Sequence, residues 1–141
     1  MAFMNKNTFF IVDMLTDTDD IDDWFHVDEF IAPAIRELNL KGYRTEYCCQ
    51  GHAFVTIVND VATFADNAYI AFLNPLPEDI TLPENWEFDT VDGHFGERLL
   101  MRNEYEFENF EDYIHNFEVI MNAMKSLYEW ACALPDLNKS E

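Results

Sequence analysis

The chain has 141 residues, a length that favours one ordinary domain and excludes a large multidomain machine. Hydrophobic residues make up 49% of the sequence and 13 residues are Phe, so the chain can bury a core and is unlike a disordered protein. Eight Lys and Arg against 28 Asp and Glu give a net charge of −20, which argues against binding of nucleic acid or an anionic membrane through the general surface.

Targeting and redox signals indicate a cytoplasmic protein. The N-terminal apolar run at residues 9–12 is too short for the core of a signal peptide, and no apolar segment reaches the length of a membrane span. The three cysteines, of which Cys48 and Cys49 are adjacent, do not suggest a disulfide framework. We therefore expect free thiols, no membrane segment and a cytoplasmic location.

The first part of the chain predicts a strand, an acidic loop and a helix. The β-formers of residues 8–15 predict a strand buried on both faces, and residues 16–23 form a turn-prone acidic segment. Apolar residues recur at helical spacing within residues 28–40, with Asp28 as the candidate N-cap. Because Pro33 suits the first turn of a helix, this helix begins later than Asp28 or is kinked there.

The middle of the chain predicts several short strands. Residues 43–49 alternate, with Tyr47 and Cys49 on the same face. Residues 54–58 are either a strand or part of a flap that ends at Asn59-Asp60. Further strands are predicted at residues 68–73, 86–90 and 98–102, the last two flanking a turn region at Asp92-Gly93.

The end of the chain predicts its longest helix. Apolar residues recur there at alternating spacings of four and three, which predicts a helix of about six turns with one apolar stripe. Asn109 is the candidate N-cap, and Pro135 ends the helix, leaving residues 135–141 as a frayed tail. The predicted stripe consists of Phe110, Ile114, Phe117, Met121, Met124, Tyr128 and Ala131.

These elements predict an α+β fold. We expect residues 1–141 to form a single compact domain, with an antiparallel or mixed sheet of four to six strands packed by two helices. The longer helix is C-terminal. The heptad-like stripe is no wider than a core-facing helix needs, so the oligomeric state stays open.

The most compact polar motif is Cys48-Cys49-Gln50-Gly51-His52. A thiol and an imidazole across a glycine turn can form a nucleophilic pair or supply two zinc ligands, although no second pair stands at zinc-site spacing. Alternatively the turn binds a ligand, or Cys49 packs in the core and Gly51 allows a tight turn with positive φ. The sequence therefore assigns no catalytic residue, and leaves the metal content open.

A second cluster is acidic. Carboxylate clusters bind Ca²⁺ or Mg²⁺, but this one lacks the glycine and glutamate positions of an EF-hand. A solvated loop and a partner-binding acidic surface remain as interpretations, and no cofactor is predicted. The cluster consists of Asp17, Asp19, Asp20, Asp22 and Asp23.

The scarce arginines suggest a small-ligand site. Arg44 lies on the strand that enters the Cys–His turn, and in so acidic a chain most arginines are expected to pair with carboxylates. Two cations that converged near His52 would form a pocket for a phosphate or carboxylate, with an aromatic side chain stacking on a base. The candidate ligand-binding residues are Arg44, Tyr47, Cys49, His52, Trp86 and Arg102.

The order of these signals resembles a group of small uncharacterised proteins from bacteriophages, prophages and Firmicutes genomes. The shared features are a helix and strand that run into a Cys-x-Gly-His turn at residues 49–52, a strand AYIAF, a Leu-Pro-x-x-Trp element ending at Trp86, and a late Trp130. The resemblance covers residues 31–134 and implies a phage-related setting without a particular reaction. The acidic segment at residues 17–23 departs from that pattern.

Three functions follow as hypotheses. The first is a phage-type acidic interaction protein, an inhibitor of a host defence or nucleic-acid-binding protein that meets the partner's basic cleft. The second is a small-ligand binder that sequesters a nucleotide or another phosphate-bearing signal at the Cys-Gln-Gly-His turn. The third is an enzyme that uses Cys49 and His52, or zinc held there.

Overall fold

The computed structural model of the chain describes residues 2–53, 56–63, 68–89, 98–101, 105 and 107–138. A single 3-10 turn, Ile21–Asp23, precedes the third strand within these ranges. In chain order the elements are β1 (Ala2–Asn5), β2 (Ile11–Val12), β3 (Trp24–Val27), α1 (Ala32–Leu40), β4 (Thr45–Cys49), β5 (Thr56–Val58), β6 (Val61–Thr63), β7 (Tyr69–Phe72), β8 (Trp86–Asp89), β9 (Arg98–Met101) and α2 (Tyr113–Ala133).

The described strands pair in three antiparallel groups. A four-stranded sheet has the order β4-β7-β9-β8, a three-stranded sheet has the order β2-β1-β3, and β5 and β6 form a hairpin. The α+β class and the longer C-terminal helix predicted from sequence are confirmed. The described strands do not form one sheet, however. Strand β3 pairs with the N-terminal β1, in a sheet separate from the four-stranded one.

The N-terminal strand prediction is wrong. Residues 8–15 do not form one strand, since β1 turns back at the loop after Asn5 and only Ile11 and Val12 pair with it. The side-chain oxygen of Asn5 accepts hydrogen bonds from the backbone N–H groups of Asn7 and Thr8, which closes the turn. Phe10 is 61% exposed, so this segment is not buried on both faces.

Helix α1 begins at Ala32, later than its apolar pattern, with Pro33 in its first turn as expected. The predicted cap at Asp28 is wrong. The acceptor comes instead from Gln50, whose side-chain oxygen lies 2.7 Å from the backbone N of Phe30 and 3.3 Å from that of Ile31. A residue distant in sequence therefore satisfies the N–H groups at the start of this helix.

Helix α2 packs against α1, but its buried face differs from the predicted stripe. Its fully buried side chains are Asn116, Ile120, Met124, Leu127 and Ala131, whereas Ile114, Met121 and Tyr128 are 78%, 47% and 39% exposed. The predicted cap is also wrong, since the side chain of Asp112 rather than Asn109 accepts from the N–H of His115, at 3.2 Å. The side of α2 that faces the core is thus displaced around the helix axis from the centre of the predicted stripe.

Lys41 joins the ends of the two helices. Its ammonium donates to the backbone carbonyls of Ala131, Cys132 and Leu134 at 3.0, 2.6 and 2.8 Å, and lies 3.6 Å from the carboxylate of Glu37. A cation at this position complements the carbonyl end of the α2 dipole.

The segment after α2 returns to the loop that follows α1. The N–H of Leu137 donates to the carbonyl of Lys41 at 2.8 Å, and the Tyr43 hydroxyl donates to that of Pro135 at 2.7 Å. The side-chain amide of Asn138 donates to the carbonyl of Leu40 at 2.9 Å. These hydrogen bonds anchor residues 135–138, for which the sequence predicts fraying; residues 139–141 lie outside the described ranges.

Candidate functional site

A cleft of about 400 Å³ opens where β3 and the loop after β1 meet β4 and α1. We call it the Arg44 cleft. Its volume falls in the range of small-molecule sites, which is about 300–1,000 Å³. The side chains that decide its chemistry are Lys6, Phe9, Phe25, His26, Arg44 and Tyr47.

The backbone around Arg44 is fixed from both sides. The carbonyl of Arg44 accepts from the N–H of Leu73 at 2.9 Å. The next residue, Thr45, donates its N–H to Asn39 at 3.1 Å, and its hydroxyl oxygen accepts from the amide nitrogen of Asn39 at 2.9 Å. Because α1 supplies Asn39, it fixes the start of β4 directly after the arginine.

Phe9 supports the arginine side chain. The Cζ atom of Arg44 lies 4.8 Å from the centre of the Phe9 ring, within cation–π distance. Phe9 has φ of +60°, a left-handed conformation that is unusual for a bulky residue and costs on the order of 1–3 kcal/mol. Strain of this kind is concentrated at functional sites.

The cleft is positively charged in a strongly negative chain. Lys6 and Arg44 are both exposed, and Glu46 is the carboxylate among the lining residues. With His26 neutral, the lining has a formal charge of +1, whereas the whole chain has −20. Two of the eight Lys and Arg residues therefore face one cavity, which favours a compact anion.

Aromatic residues make up part of the remaining lining. Phe25 and His26 are consecutive on β3, and His26 also contacts Phe3, with 4.5 Å between ring centres. Tyr47 comes from β4, and its ring lies edge-on to that of Tyr69, with 5.9 Å between ring centres. Aromatic faces beside cations suit a ligand that joins an anionic group to a flat ring.

The Cys-Gln-Gly-His turn has a structural role centred on Gln50. In addition to its bonds to the start of α1, its N–H donates to the carboxylate of Asp28 at 3.2 Å. Its carbonyl accepts from the hydroxyl of Tyr105 at 2.8 Å. Gly51 has φ of +92°, which confirms the tight turn with positive φ predicted from sequence.

The two neighbouring thiols are held in their protonated form. Burial, with the nearby carboxylate of Asp28, raises the pKa of Cys48 to about 12. Burial also raises the pKa of Cys49, against the opposing effect of a hydrogen bond from the N–H of Gly51. An activated nucleophilic cysteine needs a lowered pKa, so these shifts run against the third hypothesis.

The structure brings together only part of the predicted ligand set. Arg44 and Tyr47 line the same cleft, whereas Cys49 and His52 are not among its lining residues. Trp86 is buried and lines a separate depression of about 250 Å³ beside Trp130. Arg102 lies outside the described residues.

Sequence reasoning missed Lys6, Phe9, Phe25 and His26 as members of this cleft. They come from the β1–β2 turn and β3, segments that meet β4 only in the folded chain. Charge was the sequence signal that could have identified Lys6. The chain has only eight Lys and Arg residues, and Lys6 is the first of them.

The acidic segment lies on the surface before β3. Four of its aspartates are exposed, and Asp19 is half-buried because its carboxylate accepts from the N–H and hydroxyl of Thr16 at 2.8 and 2.9 Å. Asp20 accepts from the N–H of Asp22 at 3.1 Å and so caps the 3-10 turn. Within the described ranges, no Lys or Arg forms an ion pair with the five carboxylates.

The described part of the chain offers neither a metal-binding cluster nor a membrane-spanning helix. Among the described residues, no three His, Cys, Asp or Glu side chains form a group able to hold a metal ion. Neither of the two described helices has the length and apolar character needed to cross a membrane. The three cysteines are free thiols.

The comparisons with known proteins return no relative. No family model, no curated protein and no solved structure matches the chain.

Proposed function

We propose that the protein binds a small anionic ligand in the Arg44 cleft, and that this ligand is a phosphate-bearing molecule with a flat ring, such as a nucleotide. The observation that carries the proposal is the meeting of Lys6 and Arg44 with four aromatic residues in the lining of one cavity of about 400 Å³. A protein with this site would sequester or sense its ligand.

The arginine is the main recognition group. A guanidinium presents a planar fork of N–H donors that matches two oxygens of a phosphate. The hydrogen bonds of its backbone and the ring of Phe9 hold Arg44 before any ligand arrives. Such preorganisation lowers the entropy lost on binding.

The test is a calorimetric titration with adenosine monophosphate, inorganic phosphate and adenosine. We expect adenosine monophosphate to bind more tightly than either of its parts, because phosphate and ring occupy different walls. Arg44→Gln is expected to weaken binding by roughly tenfold or more, since a hydrogen bond to a charged group contributes about 1.5–3 kcal/mol.

The matched control is Arg36→Gln, which makes the same change of charge on α1 outside the cleft. It is expected to leave the affinity unchanged. Equal losses in both variants would mean that only the overall charge matters, and an absence of binding by all three probes would contradict the proposal.

A second candidate function is the acidic interaction protein, and the aspartates at residues 17–23 favour it because no described Lys or Arg forms an ion pair with them. Exposed carboxylates without an ion-pair partner are available to a basic cleft on a host protein. Replacement of Asp17, Asp20 and Asp22 by Asn should then reduce capture of such a partner at low salt. The matched control neutralises the exposed Glu78, Asp79 and Glu84, which lie on the loop before β8.

The dependence of binding on salt concentration distinguishes these two candidate functions. Binding through an open acidic surface should weaken steeply as ionic strength rises, whereas a ligand held inside a cleft should respond less. We place both functions in the cytoplasm of a host cell, with support from the free thiols and from the resemblance to phage proteins.

A further inference from the structure

The outer face of α2 carries three large apolar side chains at intervals of seven residues. Ile114, Met121 and Tyr128 are 78%, 47% and 39% exposed. At 3.6 residues per turn, positions seven apart differ by only about 20° around the helix axis, so the three form a straight stripe. We call this the Met121 stripe.

A line of opposite charges runs beside the stripe. Glu118 and Lys125 are also seven residues apart, and each lies one turn from Met121. Both are exposed, and within the described ranges neither forms an ion pair in the monomer. The order along the helix is Ile114, Glu118, Met121, Lys125 and Tyr128.

This order is self-complementary when the helix is reversed. An antiparallel copy related by a two-fold axis at Met121 places Ile114 opposite Tyr128 and Met121 opposite itself, and brings Glu118 within one residue position of Lys125. Side chains on the same flank of two antiparallel helices face each other, so Glu118 of each copy meets Lys125 of the other. In a parallel pair the flank that carries Glu118 and Lys125 would face the opposite flank of the partner, and these charges would not meet.

A groove beside the stripe fits the same partner. A depression of about 340 Å³ lies between the start of α1 and α2, and its lining is mostly apolar, with Glu29 and Lys125 as the charged members; the apolar lining residues are Phe30, Pro33, Met121, Met124 and Tyr128. In the antiparallel pair, the highly exposed Ile114 of one copy lies against the Tyr128 end of the other, where this groove opens. The most exposed apolar side chain of the helix thereby gains an apolar site, and the contact occurs twice.

We propose that the chain forms an antiparallel homodimer through the Met121 stripe. The stripe spans about 21 Å of helix, which is short for a permanent interface, so the dimer depends on protein concentration. Since two chains of charge −20 repel each other, moderate salt should favour association.

The test is the molar mass from sedimentation equilibrium over a series of concentrations at about 0.15 M salt. The wild type is expected to approach twice 16.6 kDa. Met121→Asp should raise the dissociation constant at least tenfold, because it buries two carboxylates at the axis. Its control is Met14→Asp, the same change at a residue that is 74% exposed elsewhere.

Charge reversal tests the orientation. Glu118→Lys and Lys125→Glu should each weaken their own homodimers, whereas an equal mixture of the two variants should form a heterodimer with complementary pairs. Glu111→Lys, which lies before α2, is the control for the change in net charge. A wild type that stays monomeric up to its solubility limit, or a dimer unaffected by Met121→Asp, would overturn the proposal.

Discussion

The guanidinium of Arg44 lies 4.8 Å from the ring centre of Phe9, and Phe9 reaches that position with a left-handed backbone. Phe9 lies in the loop between β1 and β2, and Arg44 directly precedes β4, so their contact joins two segments that are distant in sequence. Phe9 is also buried in the core, which holds its ring beneath the exposed guanidinium. The arrangement is consistent with a cation that is kept in place for an anionic ligand.

The contact predicts an effect of Phe9→Leu on ligand binding. Leucine keeps an apolar contact but removes the ring face, and an exposed cation–π pair contributes about 0.5–1 kcal/mol. We therefore expect the affinity for adenosine monophosphate to fall by about two- to fivefold, as measured by calorimetry. Phe10→Leu at the exposed neighbouring position is the control, and an equal loss in both variants would contradict this role of Phe9.

The hydrogen bonds of Gln50 predict that its side chain matters for stability. Gln50→Ala removes the acceptor for the N–H groups of Phe30 and Ile31 and should lower the free energy of unfolding by about 1–3 kcal/mol in urea titrations. Tyr105→Phe, which removes one hydroxyl donor to the same turn, should cost about 1 kcal/mol.

His52 provides the contrast within that turn. It is exposed, so His52→Ala should change the free energy of unfolding by less than about 0.5 kcal/mol. If His52→Ala were as destabilising as Gln50→Ala, the turn would not be organised around Gln50.

The raised pKa of Cys48 predicts a loss of stability at alkaline pH. The folded chain holds the thiol proton more tightly than the unfolded chain, whose thiol titrates at about 8.5, so this contribution is complete at neutral pH. It declines as pH rises from about 8.5 toward the folded pKa of about 12. The free energy of unfolding of Cys48→Ala, measured at pH 7 and pH 10, should therefore fall less than that of the wild type.

Exposed thiols give the control for that measurement. Cys132 is exposed and has no part in the core, so Cys132→Ser should keep the alkaline loss of the wild type. An identical loss in Cys48→Ala and the wild type would show that the buried thiol does not contribute.

The hydrogen bonds of Lys41 predict that its side chain stabilises the contact between α1 and α2. Lys41→Met keeps the apolar stem and removes the ammonium that contacts three carbonyls at the end of α2, so stability should fall by about 1–2 kcal/mol. Arg36→Met, on the same helix, is the control and should change stability much less. Thermal unfolding of the two variants distinguishes these outcomes, and equal losses would contradict the link.

The sequence predicts those parts of the fold that depend on local pattern. The apolar spacing of α1 and the first-turn Pro33 correspond to elements in the structure, and the strand before the Cys–His turn is present as β4. A register shift between Thr45 and Tyr47 interrupts the alternation predicted for that strand. The long C-terminal helix is also present, but its rotation depends on the position of α1 and leaves Met121 exposed. The periodicity of apolar residues in α2 does not specify how this helix is oriented against α1.

Long-range relationships account for the features that sequence missed. The cap of α1 is Gln50, 19 residues beyond Ile31, and no local capping pattern points to it. Two of the six predicted ligand-binding residues line the cleft, because Arg44 directly precedes β4 and Tyr47 lies on it, whereas Lys6 and His26 come from the β1–β2 turn and from β3. The pairing of β3 with β1 requires contacts that only the folded chain makes.

The most direct test of the Arg44 cleft is a titration of the ¹⁵N-labelled protein with adenosine monophosphate, followed in amide NMR spectra. Binding in the cleft predicts saturable shifts that are concentrated at Lys6, His26 and residues 44–47, and their loss in Arg44→Gln. An absence of shifts, or shifts centred on the turn at residues 50–53 or on the acidic segment at residues 17–23, would contradict the account.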